Sequence, residues 1–308
     1  MFYVSAKSFS SSTDRRDMVC DQNRVNEVAS LFTELGIEGI EAFDEEEPEY
    51  DTLVTLANRY ESDSHLALLS VMAGLTDYQL AINAQAYWES LEKTALDHGS
   101  LDSIRDVNTI MNEFLNEPVN ARFTNKKRER LVRLNKNGYP KWVLGNYPIK
   151  SPDELWEQTA IDLGGRRKMN SKTVVLAMKI LDIHNLIVND TYLDFPDNID
   201  IPVDVHVKRV ALFSGITSST NTEQVRQCWA EVADQIKAEL GANISLLRID
   251  SVVFQLGQLI SQAGFEPDDS RQKIIQHALC SGVSADEAEQ LALTLTTNLD
   301  GDPIVRDS

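Results

Sequence analysis

The sequence predicts an all-α fold, and three observations carry that expectation. Apolar residues recur at helical spacing along most of the chain, alternating strand-like runs are almost absent, and 42% of the 308 residues are hydrophobic, enough to bury a substantial core. With 25% charged residues, 7% aromatic residues and no internal period, collagen, coiled-coil and solenoid architectures drop out.

Taken in order, helical periodicity marks 25–35, 52–59, 66–75, 86–96, 101–115, 129–134 and 154–163. It continues through 172–187, 205–214, 222–240 and 245–262. Asn170 or Ser171 can cap the helix that begins at Lys172, and Asp204 can cap the one that follows it. Between these two, 191–203 contains Pro196 and Pro202 among closely spaced aspartates, so it reads as a long surface connection. A last helical pair is expected at 270–280 and 285–297, followed by an acidic end with Gly301 and Pro303 that should fray.

No stretch is apolar and long enough for a bilayer, and the first residues lack the apolar run of a signal peptide, so a cytoplasmic protein is expected. Cys20, Cys228 and Cys280 are odd in number and far apart, which suits reduced thiols. Neither CxxC nor HExxH occurs, and no metal or other cofactor is expected.

The net charge of -19 argues at face value against a polyanionic partner, but the charge is unevenly placed. Between 122 and 209, 16 Lys and Arg face 11 Asp and Glu, a net of +5 that leaves -24 for the rest of the chain. The positive charges clump in NKKRERLVRLNK, which holds Lys126 and Arg130, and in GGRRKMNSK, which holds Gly164, Gly165, Arg166, Arg167 and Lys168. The first clump also fits the solvated face of an amphipathic helix. In the second, paired glycines between two helical runs allow a tight turn whose backbone N–H groups can meet a phosphate. A basic face on an acidic body suits duplex DNA.

Lys172 falls in the first turn of its helix, where the dipole disfavours a cation, and it is a candidate nucleophilic amine. Lys179 lies two turns on within an otherwise apolar run, where a lysine wants an acceptor. Asp204 can act beyond capping, by stabilising a developing sugar cation or moving protons.

The run VDVHVKRV after the hairpin resembles the signature of helix-hairpin-helix DNA glycosylases. KTVVLAMKIL, with Asp204 32 residues after Lys172, is similar to the archaeal 8-oxoguanine DNA glycosylase/lyase family. The likeness extends through LGIEGIE, EPEY, LALL and Tyr87-Trp88-Glu89 upstream, and Trp229 and LLRIDSVVFQLG downstream. It implies a helix-hairpin-helix glycosylase fold of two helical subdomains with the active site in the cleft between them. The domain would span 25–264, with its hairpin near 161–179, an amino-terminal extension over 1–24 and a carboxy-terminal one over 265–308. Lys172 would be the Schiff-base nucleophile and Asp204 the catalytic aspartate; Lys179, Asp250, Trp88, Phe254 and Glu49 would hold the flipped base.

The expected partner is double-stranded DNA with a modified base, bound by a monomer. Glu49 stands where the resemblance leads one to expect glutamine, and Phe254 where it leads one to expect tryptophan. An ionised carboxylate at 49 would only accept hydrogen bonds and would favour donor-rich base edges. The resemblance makes 8-oxoguanine the default substrate, while the carboxylate and the smaller ring of Phe254 make a hypermodified cytosine of phage DNA, excised in antiviral defence, the alternative. A non-catalytic helix-hairpin-helix DNA-binding module would need neither Lys172 nor Asp204.

Overall fold

Fourteen α-helices and no strand make up the described residues, 19–241 and 244–299, of the computed structural model. They build two cores. The first is formed by α2 (Tyr50–Arg59), α3 (Asp63–Thr76), α4 (Ala84–His98), α5 (Ile104–Phe114), α6 (Thr124–Asn137), α7 (Tyr139–Gly145), α8 (Pro152–Gly164) and α9 (Lys172–Asn189). The second combines α1 (Gln22–Glu41) with α10 (Val205–Phe213), α11 (Thr222–Leu240), α12 (Leu246–Gln262), α13 (Pro267–Cys280) and α14 (Ala285–Leu295). The chain thus starts in the second core, crosses to the first after α1 and returns after α9. Both crossings run past the same seam.

α9 is the axis of the first core. It is apolar on nearly every side, and Val174, Val175, Ala177, Met178, Ile180 and Leu181 are all buried. Its closest neighbour is α3, where a Cβ added at Gly74 would stand 2.8 Å from the backbone of Ala177. Only glycine permits that approach, and through it α3 fixes the height of α9, the helix that begins at Lys172.

The segment 191–203 is irregular, as its prolines require, but it is less superficial than expected: Leu193, Phe195, Ile199, Ile201 and Val203 are buried. Its apolar residues alternate with the aspartates, so one edge packs while the other stays wet. The carboxy-terminal pair shares the second core through Ile274, Ala278, Ala288, Leu291 and Leu295, so the packing shows no division near 264. Arg24 on α1 ties into the same corner, donating to the carbonyls of Ser214 and Thr294. Residues 1–18 of the expected amino-terminal extension, and the acidic end with Gly301 and Pro303, lie outside the described residues.

The cysteine expectation fails. Cys20 and Cys228 form a disulfide across 208 residues and only Cys280 is free and exposed, because folding lays the start of α1 along α11. Sequence spacing carries no sign of that approach. Among the described residues no helix is long and apolar enough to cross a membrane.

One tie across the seam is wholly buried. Arg248 on α12 donates to Asp44 and lies 3.0 Å from Asp182 on α9. Tyr192 and Ser251 also donate to Asp44, and the Leu193 N–H donates to Asp182. Burial disfavours the Arg248 charge, but Asp44 and Asp182 outweigh it and hold the guanidinium above its ordinary value.

Candidate active site

Where the two crossings meet, a cavity of about 630 Å³ opens between the cores. Its wall brings together Lys172 and Lys179 from α9, Asp204 at the head of α10, Asp250 and Phe254 from α12, and Glu49 just before α2. Six of the seven residues expected to act on the sugar or base are therefore gathered in one place from four parts of the chain. Trp88 is the exception. It is fully buried in the first core, edge-on to Tyr87 at 5.6 Å, and does not line the cavity. Its ring packs in the first core, and its only reach towards the cavity is through its indole, which favours the ionised form of the lining carboxylate Asp77.

Asp204 fills both roles open to it. Its Oδ1 caps α10 by accepting from the N–H groups of His206 and Val207 at 2.7 and 3.0 Å, and its Oδ2 accepts from Lys172 Nζ at 3.1 Å. Burial works to raise this carboxyl, but Lys172 and the Val207 N–H outweigh it and hold Asp204 below its ordinary value. An ionised, rigidly held carboxylate is thus kept against an amine that is 43% exposed to the cavity mouth. Ser171 occupies the cap position of α9, although its side chain makes no capping bond.

Deeper in, Lys179 is 1% exposed and lies between two carboxylates, 2.8 Å from Asp250 Oδ2 and 3.1 Å from Glu47 Oε1. Burial works to lower its ammonium; Asp250, Glu47 and Glu49 outweigh that and raise it. A single ammonium cannot keep all three acids ionised. Burial lifts Glu47 to about 7 and also lifts Asp250 and, well above the usual range, Glu49. Burial and the neighbouring Glu47 thus favour the protonated form of Glu49, against the ionised acceptor that the sequence suggests. Its side chain is 3% exposed, and its buried Oε1 accepts no hydrogen bond from the described residues.

Sequence reasoning missed Glu47, Asp77, Tyr78 and His206, all of which line the cavity. Glu47 is anchored from the carboxy-terminal pair: His277 on α13 bonds Gln255 at 2.8 Å, and Gln255 donates to Glu47 at 2.9 Å. Asp77 is raised by burial to about 6, against the pull of Lys172 and Lys127. His206 meets the Phe254 ring edge-on at 5.6 Å, and Lys179 Nζ lies 5.9 Å from the same ring. Glu47 and His206 stood within the quoted runs EPEY and VDVHVKRV, but nothing local said which side chains would turn inward. Among the described residues no group of acids, histidines and cysteines could hold a metal ion.

The basic clusters also converge. Gly164 and Gly165 take φ of 136° and 108°, which side-chain-bearing residues rarely adopt, and turn the chain from α8 into a short 3₁₀ turn, Arg166–Lys168. Arg133 on α6 donates to the Leu163 carbonyl at 2.9 Å and props that turn. Lys126, Arg130, Arg133 and Lys168 then line a groove of about 380 Å³. Arg130 already donates to the Leu75 carbonyl and lies 4.6 Å over the Tyr78 ring, whereas Arg166 is exposed beside Glu157. Lys127 turns inward to Asn120 at 2.8 Å, and burial lowers it to about 8.

The same combination of fold and site occurs in known proteins. The chain matches the AGOG family, N-glycosylase/DNA lyase, over residues 29–290, a span that runs through α13 into α14. Relatives named N-glycosylase/DNA lyase include one from Methanococcus maripaludis, 24% identical over 75% of this chain and 86% of its own length. Another, from Aeropyrum pernix, is 26% identical over 76% of this chain and 82% of its own. The fold matches the crystal structure of the 8-oxoguanine DNA glycosylase Pa-AGOG from Pyrobaculum aerophilum complexed with 8-oxoguanosine. That match has a TM-score of 0.67 and 18% identity and covers 89% of this chain and 97% of that one. Chain-long family likeness and an all-helical glycosylase fold agree, and this chain belongs to the AGOG family of N-glycosylase/DNA lyases.

Proposed function

We propose that the enzyme removes 8-oxoguanine from duplex DNA, as a monomer, and then cleaves the strand through a Schiff base on Lys172. The observation that carries this reading is the 3.1 Å pair of Lys172 and Asp204 beside a cavity deep enough for an extruded base. A stacked base is out of reach, so flipping it out costs a few kcal/mol before any chemistry begins. Phe254 offers the base a face, and Lys179 and Asp250 offer a donor and an acceptor at its edge.

As the C1′–N bond breaks, the Asp204 carboxylate stabilises the cationic sugar. Lys172 passes a proton to the Asp204 carboxylate it touches and bonds to C1′ as the base leaves with the bonding electrons. The C1′–O4′ bond then opens, the sugar oxygen takes up the proton that the amine gives up, and the resulting Schiff base permits elimination of the 3′ phosphate. The turn at Gly164 and Gly165, whose Gly165 N–H is itself spent on the Ala160 and Ile161 carbonyls, presents Arg166, Arg167 and Lys168, which together with Lys126 and Arg130 hold the DNA backbone. The 8-oxoguanosine bound by the Pyrobaculum aerophilum protein supports the default base.

Cavity size favours a second reading, since about 630 Å³ falls within the range of roughly 300–1,000 Å³ that holds drug-sized ligands. That leaves room for a cytosine carrying a bulky substituent. Excision assays on duplexes holding 8-oxoguanine, hydroxymethylcytosine or glucosylated cytosine separate the two: release of 8-oxoguanine alone establishes the default, and release of a cytosine derivative alone replaces it.

A further inference from the structure

We infer that Glu49 enters the reaction as a neutral carboxylic acid and gives its proton to the departing base. The inference rests on the reading above and supplies the acid which that reading lacks.

When the C1′–N bond breaks, its electron pair stays on the base, which leaves as an anion unless a proton arrives. Four groups of the cavity are already engaged. Asp204 spends its oxygens on two backbone N–H groups and on Lys172. Lys179 is clamped between Asp250 and Glu47, and Asp250 and Glu47 accept from it. Glu49 lines the cavity, is almost wholly buried and leaves Oε1 unmatched; Asp250 Oδ1 is unmatched too, but Asp250 is held by Lys179 through Oδ2, whereas the Glu49 carboxyl bonds no other side chain among the described residues. Its backbone is pinned at the start of α2, where its carbonyl accepts from the Leu53 N–H at 2.9 Å. An ionised carboxylate so placed would be buried and unmatched, a state that proteins avoid by protonation.

The surrounding charges agree. From its own segment Glu47 faces Glu49, and from the turn after α3 Asp77 does, both keeping the proton on. Against them stand Lys179 on α9, whose charge Asp250 on α12 and Glu47 already share, and the Glu49 backbone N–H. In the step itself the C1′–N bond breaks, the Glu49 O–H proton moves to a heteroatom of the base, and Lys172, having passed a proton to Asp204, bonds to C1′. Glu49 is left as a carboxylate facing Lys179 and regains a proton from solvent once the base has gone. Because the acid works only while protonated, base release falls as pH rises through its raised titration.

Glu49→Gln keeps the shape and the hydrogen-bonding groups but has no proton to transfer. Single-turnover base release from the duplex the enzyme prefers is measured relative to the same protein's borohydride trapping on preformed abasic DNA. That ratio should fall on the order of 100-fold in the variant, and the loss of rate at high pH should vanish. Glu49→Asp, which retains an acid, should keep that high-pH loss at a lower rate. At neutral pH the infrared difference between wild type and Glu49→Gln should contain a protonated-carboxyl C=O band. An unchanged ratio in Glu49→Gln, or no such band, overturns the inference and leaves the proposed function standing. A wild type that traps abasic DNA but frees no base from any duplex removes the proposed function, and the acid role with it.

Discussion

Two buried charge clusters sit on the seam between the cores, and α9 and α12 contribute to both with opposite signs. α9 gives Lys179 to one and Asp182 to the other; α12 gives Asp250 to the first and Arg248 to the second. In the Arg248 cluster the carboxylates are met on both oxygens, by the guanidinium, Tyr192, Ser251 and a backbone N–H. In the Lys179 cluster Asp250 Oδ1 and Glu49 Oε1 are buried without partners, beside an open cavity. Similar ingredients therefore do different work. Carboxylates met on both oxygens tie the two halves together, although the guanidinium keeps Nε and Nη2 without a hydrogen bond. The carboxylate oxygens left unmatched at the cavity are instead free to meet what enters it.

The largest effect expected is at the mouth of the unsaturated cluster. Lys172→Gln should abolish borohydride trapping on substrate DNA and lower strand cleavage by roughly 10⁴-fold or more, with DNA binding largely kept. Trapping that persists would place the nucleophile elsewhere.

Next comes the tie. Arg248→Met leaves Asp44 and Asp182 buried and unpaired, which should cost about 3–5 kcal/mol in denaturant unfolding. Lys179→Met should cost less at pH 6 than at pH 8, because the acids around it can take up protons in its place. Equal losses at both pH values would mean that the two clusters are built alike.

A smaller effect follows from Glu47, which is held near 7 against an ordinary value of 4.5. The unfolded chain loses this proton first, so the stability due to the raised value is fully present below about 4.5 and is lost as pH rises to about 7. Across that window Glu47→Gln should flatten the decline of stability by up to about 1.4 kcal/mol per pH unit. An unaltered slope would show that Glu47 is ionised throughout. The smallest effect lies outside both clusters: Arg166→Ala should make the dependence of log affinity on log salt shallower by about one unit, without altering stability. An unchanged slope would remove the hairpin from the DNA path.

By itself the sequence determined most of the helices, their order and the candidate pair of Lys172 and Asp204, because these depend on neighbours along the chain; it gave no sign of the short α7, which holds Gly145 and Pro140. Apolar spacing set α9 and α12, and the cap position of Asp204 lay one residue before the helix it caps. The resemblance carried by the runs around Lys172 and Asp204 extended that reading to the cavity residues of α12. Only the tertiary structure decided which side chains turn inward and in what protonation state. It sent Trp88 to the core, brought Glu47, Asp77 and His206 to the cavity, and joined Cys20 to Cys228. It also set Glu49 among other acids, where burial and Glu47 raise its carboxyl well above the ordinary value. The physical reason is common to all of these: burial and the sum of nearby charges depend on segments distant in the chain, about which local spacing carries no information.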